Sequence, residues 1–148
     1  MALQDRLTAD LRQAMKSGDK TRLSVLRMIR ARVQNAEIAQ QKSLEDSDVI
    51  GLISKEAKEH RESIEEFGKS DRQDLVDKEK AELAITLEYL PQQISRDEIA
   101  AAARRVIEEV GAAGPGDKGK VMQKLMPELK GKAEGREINE IVTELLGS

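Results

Sequence analysis

The chain contains one histidine and no cysteine, and that inventory limits its chemistry before any fold is considered. Without cysteine there is no disulfide, no thiolate metal ligand and no sulfur nucleophile. His60 falls at the spacing of an apolar stripe that also carries Ile50, Ile53, Ala57, Ile64 and Phe67. It reads either as a lone general base or as a packed residue of that stripe, and the packed reading is favoured because the sequence offers the ring no orienting partner. Carboxylates abound, but Glu59, Glu62, Glu65 and Glu66 alternate with lysine and arginine, the pattern of a solvated helix face. No spacing matches a calcium loop or a zinc site. Neither a metal, nor another cofactor, nor a catalytic residue is expected.

The basic residues are more informative. Lys118 to Arg136 holds six basic residues against two acids, and Lys20 to Gln34 holds five basic residues and no acid. Gly114-Pro115-Gly116-Asp117-Lys118-Gly119-Lys120 has the glycines of a phosphate loop, but a nucleotide P-loop follows a strand and ends in Lys-Ser or Lys-Thr, whereas Val121 follows here. Lys118 and Lys120 instead open a helix, whose free N–H groups favour an anion. Lys130, Lys132 and Arg136 lie in a turn and at the entry to the next helix. Two readings stand: a cationic surface for a phosphate backbone, or lysines that keep a small domain in solution. Lys20, Arg27 and Arg30 form a second basic flank, beside the apolar face of another helix. Phe67 and Tyr89 are the chain's only aromatic residues, and neither is in the basic C-terminal stretch. Any RNA would therefore be held by its phosphates and folded shape, with steep salt dependence, rather than by base stacking.

These residues need helices to position them. Charged residues make up 36% of the chain and aromatics 1%, and the apolar residues are mostly Leu, Ile, Val and Ala at helical spacing, which predicts an all-α protein. The first helix is expected over about Leu3–Met15, ended by Gly18; the second is capped by Asp19 and carries Leu23, Leu26, Ile29, Val33 and Ala36. The stripe containing His60 is a third helix, closed by Gly68. Ser70 with Gln73 is read as a capping box for a fourth, which Pro91 stops. Ser95 with Glu98 opens a fifth helix and Asp117 caps a sixth, which Pro127 should kink or shorten. A seventh carries Ile138, Ile141, Val142 and Leu145. The expected organisation is a four-helix N-terminal part, 1–91, and a three-helix C-terminal domain, 95–148.

Leu26 to Ile38 (LRMIRARVQNAEI), Arg61 to Tyr89, Leu90 to Gln93 (LPQQ) and Gly119 to Gly135 (GKVMQKLMPELKGKAEG) resemble the YqeY family, in order and over essentially the whole chain. The C-terminal part of that family is similar to the tail domain of the B subunit of the aspartyl/glutamyl-tRNA amidotransferase, the part that touches the tRNA body away from the chemistry. The resemblance implies RNA contact at Lys118, Gly119, Lys120, Lys130, Gly131, Lys132 and Gly135, with Arg136 and Asn139 on the final helix beside them. Nothing in the chain resembles the kinase-like active site of that subunit or its partner's glutaminase. A carbon–nitrogen ligase label with glutamine as amido-N donor would thus be inherited from the complex rather than be an activity of this chain.

The expectation is a non-catalytic helical module that binds tRNA or other structured RNA, accessory to tRNA amidation or translation. A protein–protein adaptor using the N-terminal helices is the alternative. No apolar run approaches the roughly 20 residues that span a bilayer, and Met1 to Leu11 already carries Asp5, Arg6 and Asp10, unlike a signal peptide. A cytoplasmic location is expected, with neither membrane nor DNA as partner.

Overall fold

A computed structural model describes residues 2–147. The helices are α1 (Ala2–Ser17), α2 (Lys20–Gln40), α3 (Asp46–Lys69), α4 (Gln73–Leu87), α5 (Arg96–Val110), α6 (Lys118–Leu129) and α7 (Gly135–Leu145), with a short 3-10 turn, Pro115–Asp117, before α6. No strand occurs among the described residues, so the all-α expectation holds. The chain divides between Pro91 and Gln92 into two compact units, each with its own apolar core.

In the N-terminal unit the apolar spacing of α1 buries Leu7, Leu11 and Ala14. Gly18, at φ 76°, turns the chain, and the Asp19 carboxylate then accepts the Arg22 N–H at 3.1 Å to start α2. Val25, Leu26, Ile29 and Val33 of α2 meet Leu44, Val49 and Ile53 in the same core. Burying a Leu or Ile side chain contributes about 1.5–3 kcal/mol. The start of α3 carries a capping box that the sequence reading passed over, in which the Glu45 N–H donates to Asp48 at 3.1 Å. The box expected at Ser70 does not form. The Ser70 hydroxyl donates backwards to the Glu66 carbonyl at 3.3 Å, closing α3, and α4 begins after Arg72 without a side-chain cap. Nor does Gly68 end α3: the helix runs to Lys69, and the reversal is made by Asp71 at φ 54°. Most of the two apolar faces that an adaptor would present is turned inward; the large exposed aliphatics are Met15, Met28 and Ile38.

In the C-terminal unit the Ser95–Glu98 box forms as expected and α5 buries Ile99, Ala103 and Val106. Gly111 ends α5 in the left-handed region. Asp117 does not cap α6; its carboxylate accepts the Ala113 N–H at 2.9 Å and ties down the loop instead. Pro127 does not stop α6, which continues to Leu129. Val121, Leu125 and Leu129 of α6 then pack with Ile138, Ile141 and Val142 of α7.

The α6–α7 turn depends on Gly131, buried and at φ 79°, a conformation that costs an L-residue with a Cβ roughly 1–2 kcal/mol. Its carbonyls are taken up by the segment before α5. The Gln93 side chain donates to the Gly131 carbonyl at 2.6 Å and the Ile94 N–H to the Lys132 carbonyl at 3.0 Å. The LPQQ and KGK segments, 38 residues apart, are thus two halves of one structural device.

A candidate nucleic-acid surface and a buried polar cluster

The α6–α7 pair brings together some of the expected RNA-contacting residues. The Lys118 ammonium, at the start of α6, donates to Asn139 Oδ1 of α7 at 2.6 Å. Asn139 is four residues beyond the start of α7, about 6 Å along the axis, so Lys118 stands beside the first turns of that helix. Arg136 is on the same flank, exposed, with its guanidinium 3.5 Å from Glu140. Lys130 and Lys132 project from the turn that leads into α7; both are exposed and neither has an ion-pair partner among the described residues.

The remaining expected residues divide by role. Gly131 is needed by the turn itself. Gly119, in the first turn of α6, is exposed, with no atom within 4 Å of where a Cβ would stand, so packing gives no reason for a glycine there. Gly135 opens α7, and a Cβ on it would stand at an ordinary 3.5 Å from Met126. Lys120 is drawn towards Asp117, 3.9 Å away. Several acids of this unit are engaged away from the site: Arg105 pairs with Glu109 and Glu128, Lys124 reaches Glu109 at 2.6 Å, and Arg96 faces Glu137 and Glu144 of α7, while Glu140 lies between Arg96 and Arg136. Lys20, Arg27 and Arg30 belong to the N-terminal unit. Lys20 and Arg27 border a shallow depression floored by Leu23, Met28 and Ala31, and Arg30 lines a neighbouring one with Gln34 and Glu37.

Both aromatic residues belong to the N-terminal unit, away from α6 and α7 in the sequence. Phe67 is half-buried. Tyr89 is buried, its hydroxyl donating to Asp10 at 2.7 Å, with the Arg6 guanidinium 4.5 Å above the ring. Burial, and then the Asp10 bond, push its phenol up to about 12. Arg22 closes the group through a two-pronged pair with Glu88, at 3.0 and 3.1 Å, which raises the guanidinium's already high proton affinity.

The sequence reading missed a second polar site. His60 has partners after all. Its Nδ1 lies 3.2 Å from Glu79 and 3.8 Å from Glu82, both on α4, and its Nε2 lies 3.8 Å from Glu56, one turn back on α3. Arg32 of α2 holds Glu56 at 2.9 Å and also pairs with Glu59, which therefore does not simply face solvent. Glu56 is 4% exposed, and burial raises its proton affinity against the opposing pull of Arg32 and His60. The available signals were Glu56 standing four residues before His60 on the apolar face, and Glu79 and Glu82 sharing the inward face of α4 with Val76 and Thr86.

The molecule is thus an all-helical protein of two units, one with a polar cluster in its interior and the other with a lysine-bordered helix pair. The family model described as YqeY-like protein matches residues 4–146, and the chain belongs to that family. A protein of Pyrenophora tritici-repentis named altered inheritance of mitochondria protein 41, mitochondrial, is 34% identical over 97% of this chain and 80% of its own length. Proteins of the same name are 36% identical in Lachancea thermotolerans, over 74% of this chain, and 34% identical in Eremothecium gossypii, over 70%. The matched region spans only 60% and 58% of those two relatives. The cytoplasmic expectation is corrected by these findings, since the relatives are named as mitochondrial proteins. Among the described residues no helix is long and apolar enough to cross a membrane.

Proposed function

We propose that the C-terminal unit binds structured RNA, tRNA in the first instance, through the lysine-bordered side of α6 and α7. The observation that carries this reading is the reach of Lys118 onto Asn139 beside the first turns of α7, which Lys130 and Lys132 approach unpaired from the preceding turn. The N-terminal end of α7 adds the positive pole of its helix to those cations, which a phosphate favours. The bare Gly119 leaves room for a backbone to come close. The similarity of this segment to the tRNA-contacting tail of the amidotransferase B subunit is what points to tRNA among folded RNAs. The role is recognition, accessory to tRNA amidation or translation, and no ligase activity is assigned to this chain.

A filter-binding titration of the whole chain with bulk tRNA, at about 50 and 200 mM salt, tests this directly. With three or four phosphate contacts, affinity should fall on the order of 50-fold between the two conditions. Replacing both Lys130 and Lys132 by alanine should remove most of the low-salt binding. Absence of binding at the lower salt ends the reading.

A further inference from the structure

We propose that the α3–α4 pair carries a binding site for a divalent transition-metal ion, with His60, Glu79 and Glu82 as ligands and Glu56 as the carboxylate that orients the imidazole. The site is in the N-terminal unit, and its case is independent of the RNA-binding reading.

Three observations carry it. The first is donor geometry. A nitrogen of His60 and one oxygen each from Glu79 and Glu82 all lie within 4.8 Å of one another, and the His60 Nδ1 distances to the two carboxylates are 3.2 and 3.8 Å. Ligands about 2.0–2.2 Å from a tetrahedral metal stand roughly 3.3 Å apart, so a small cation fits among these atoms with slight adjustment. The second is charge. Among the described residues, the cations paired with Glu56, Glu59, Glu79 and Glu82, His60 aside, are Arg32 and, at 3.9 Å from Glu82, the exposed Lys78. With a neutral imidazole the cluster holds two more negative charges than positive ones, and partly buried charge requires compensation. A dication supplies it.

The third is the far side of the ring. His60 is 8% exposed, and its Nε2 is buried with no hydrogen-bond partner, 3.8 Å from Glu56. A histidine that binds metal through one nitrogen characteristically gives the other N–H to a carboxylate. Glu56 stands in that place, anchored by Arg32. A metal on Nδ1 fixes the tautomer with hydrogen on Nε2, and a small ring movement completes the bond. The mixed imidazole and carboxylate donors suit zinc or a neighbouring first-row ion better than magnesium or calcium, which take oxygen alone. Three protein ligands leave a fourth position open. The side chains of Glu79 and Glu82 are 15% and 13% exposed, so the ion has a route in.

The competing account of the same geometry is an imidazolium ion paired with the carboxylates, and the single histidine separates the two. The whole chain, with any affinity tag removed and metal stripped, is titrated with Zn2+ while the His60 Cε1–H signal is followed by NMR, and with Co2+ for its visible absorption. The expected result is one ion per chain, a stoichiometric shift of the one imidazole signal, and a tetrahedral-type cobalt spectrum. Glu79→Gln and Glu82→Gln should each lower the affinity at least 100-fold, and Glu56→Gln by about 10- to 100-fold. Circular dichroism of each variant checks that it has folded, and wild-type titration alone decides should a variant fail. An imidazole signal that responds to pH and not to Zn2+, or affinity that Glu79→Gln and Glu82→Gln leave unchanged in the folded state, overturns the proposal.

Discussion

Glycines separate what this chain needs for folding from what it leaves free. Gly131 occupies a left-handed turn, and Gly131→Ala should destabilise the C-terminal unit by about 1–2 kcal/mol in thermal unfolding. Gly119 has ordinary helical geometry and open space around it, so Gly119→Ala should stabilise the same unit by up to about 1 kcal/mol while weakening RNA binding. A Gly119→Ala chain that binds tRNA unchanged would remove the glycine from the surface. Tyr89 gives a residue-scale prediction in pH. Its folded pKa, about 12, lies above the ordinary 10, so its contribution is fully present below pH 10 and is lost as pH rises towards 12. Wild type should therefore lose more stability across that interval than Tyr89→Phe, measured as the difference between their urea midpoints. The sequence showed Lys130-Gly131-Lys132 as a turn, because glycine between lysines punctuates a helical pattern. It did not show the tyrosine's network, because Asp10 and Tyr89 meet across 79 residues.

Element boundaries followed the same division between local and distant causes. Asp19 and Ser95 were legible as caps because the bonded N–H lies three residues away on the same strand of sequence. Ser70 and Asp117 satisfy the local rule equally well and bond elsewhere: the Ser70 hydroxyl finishes the preceding helix, and the Asp117 carboxylate takes a loop N–H in place of a helical one. Helix periodicity placed His60 on an inward face correctly. It could not place Glu79 and Glu82 opposite, because their register against α3 is set by how the two helices pack. The metal-type arrangement is for that reason invisible to motif spacing: its donors come from two helices, with His60 and Glu79 19 residues apart. The strap formed by Gln93 and Ile94 yields a further prediction. A fragment of residues 92–148 should unfold at higher temperature than one of residues 95–148, which keeps the Ser95 cap but lacks the two strap hydrogen bonds, worth about 1 kcal/mol each. Equal stabilities would show that the strap contributes nothing to the turn.

Over the whole molecule the net charge of −3 misleads, because the sign of a sum does not fix the sign of a surface. The C-terminal unit carries nine basic and ten acidic side chains, yet Glu109 of α5 pairs with Arg105 and Lys124, Glu128 of α6 with Arg105, and Glu137 and Glu144 of α7 with Arg96. The α6–α7 turn itself sets Lys130 and Lys132 against the single carboxylate of Glu134. The N-terminal unit is organised differently, with an apolar core beside a polar cluster between α3 and α4.

The measurement that goes straightest to the RNA-binding account is a lysine-reactivity footprint of the whole chain with and without saturating tRNA at low salt. Lys118, Lys130 and Lys132 should become protected from acylation, while Lys58 and Lys69 on α3 keep their reactivity. Protection spread evenly over both groups, or found on α3 and not at the α6–α7 turn, would contradict it.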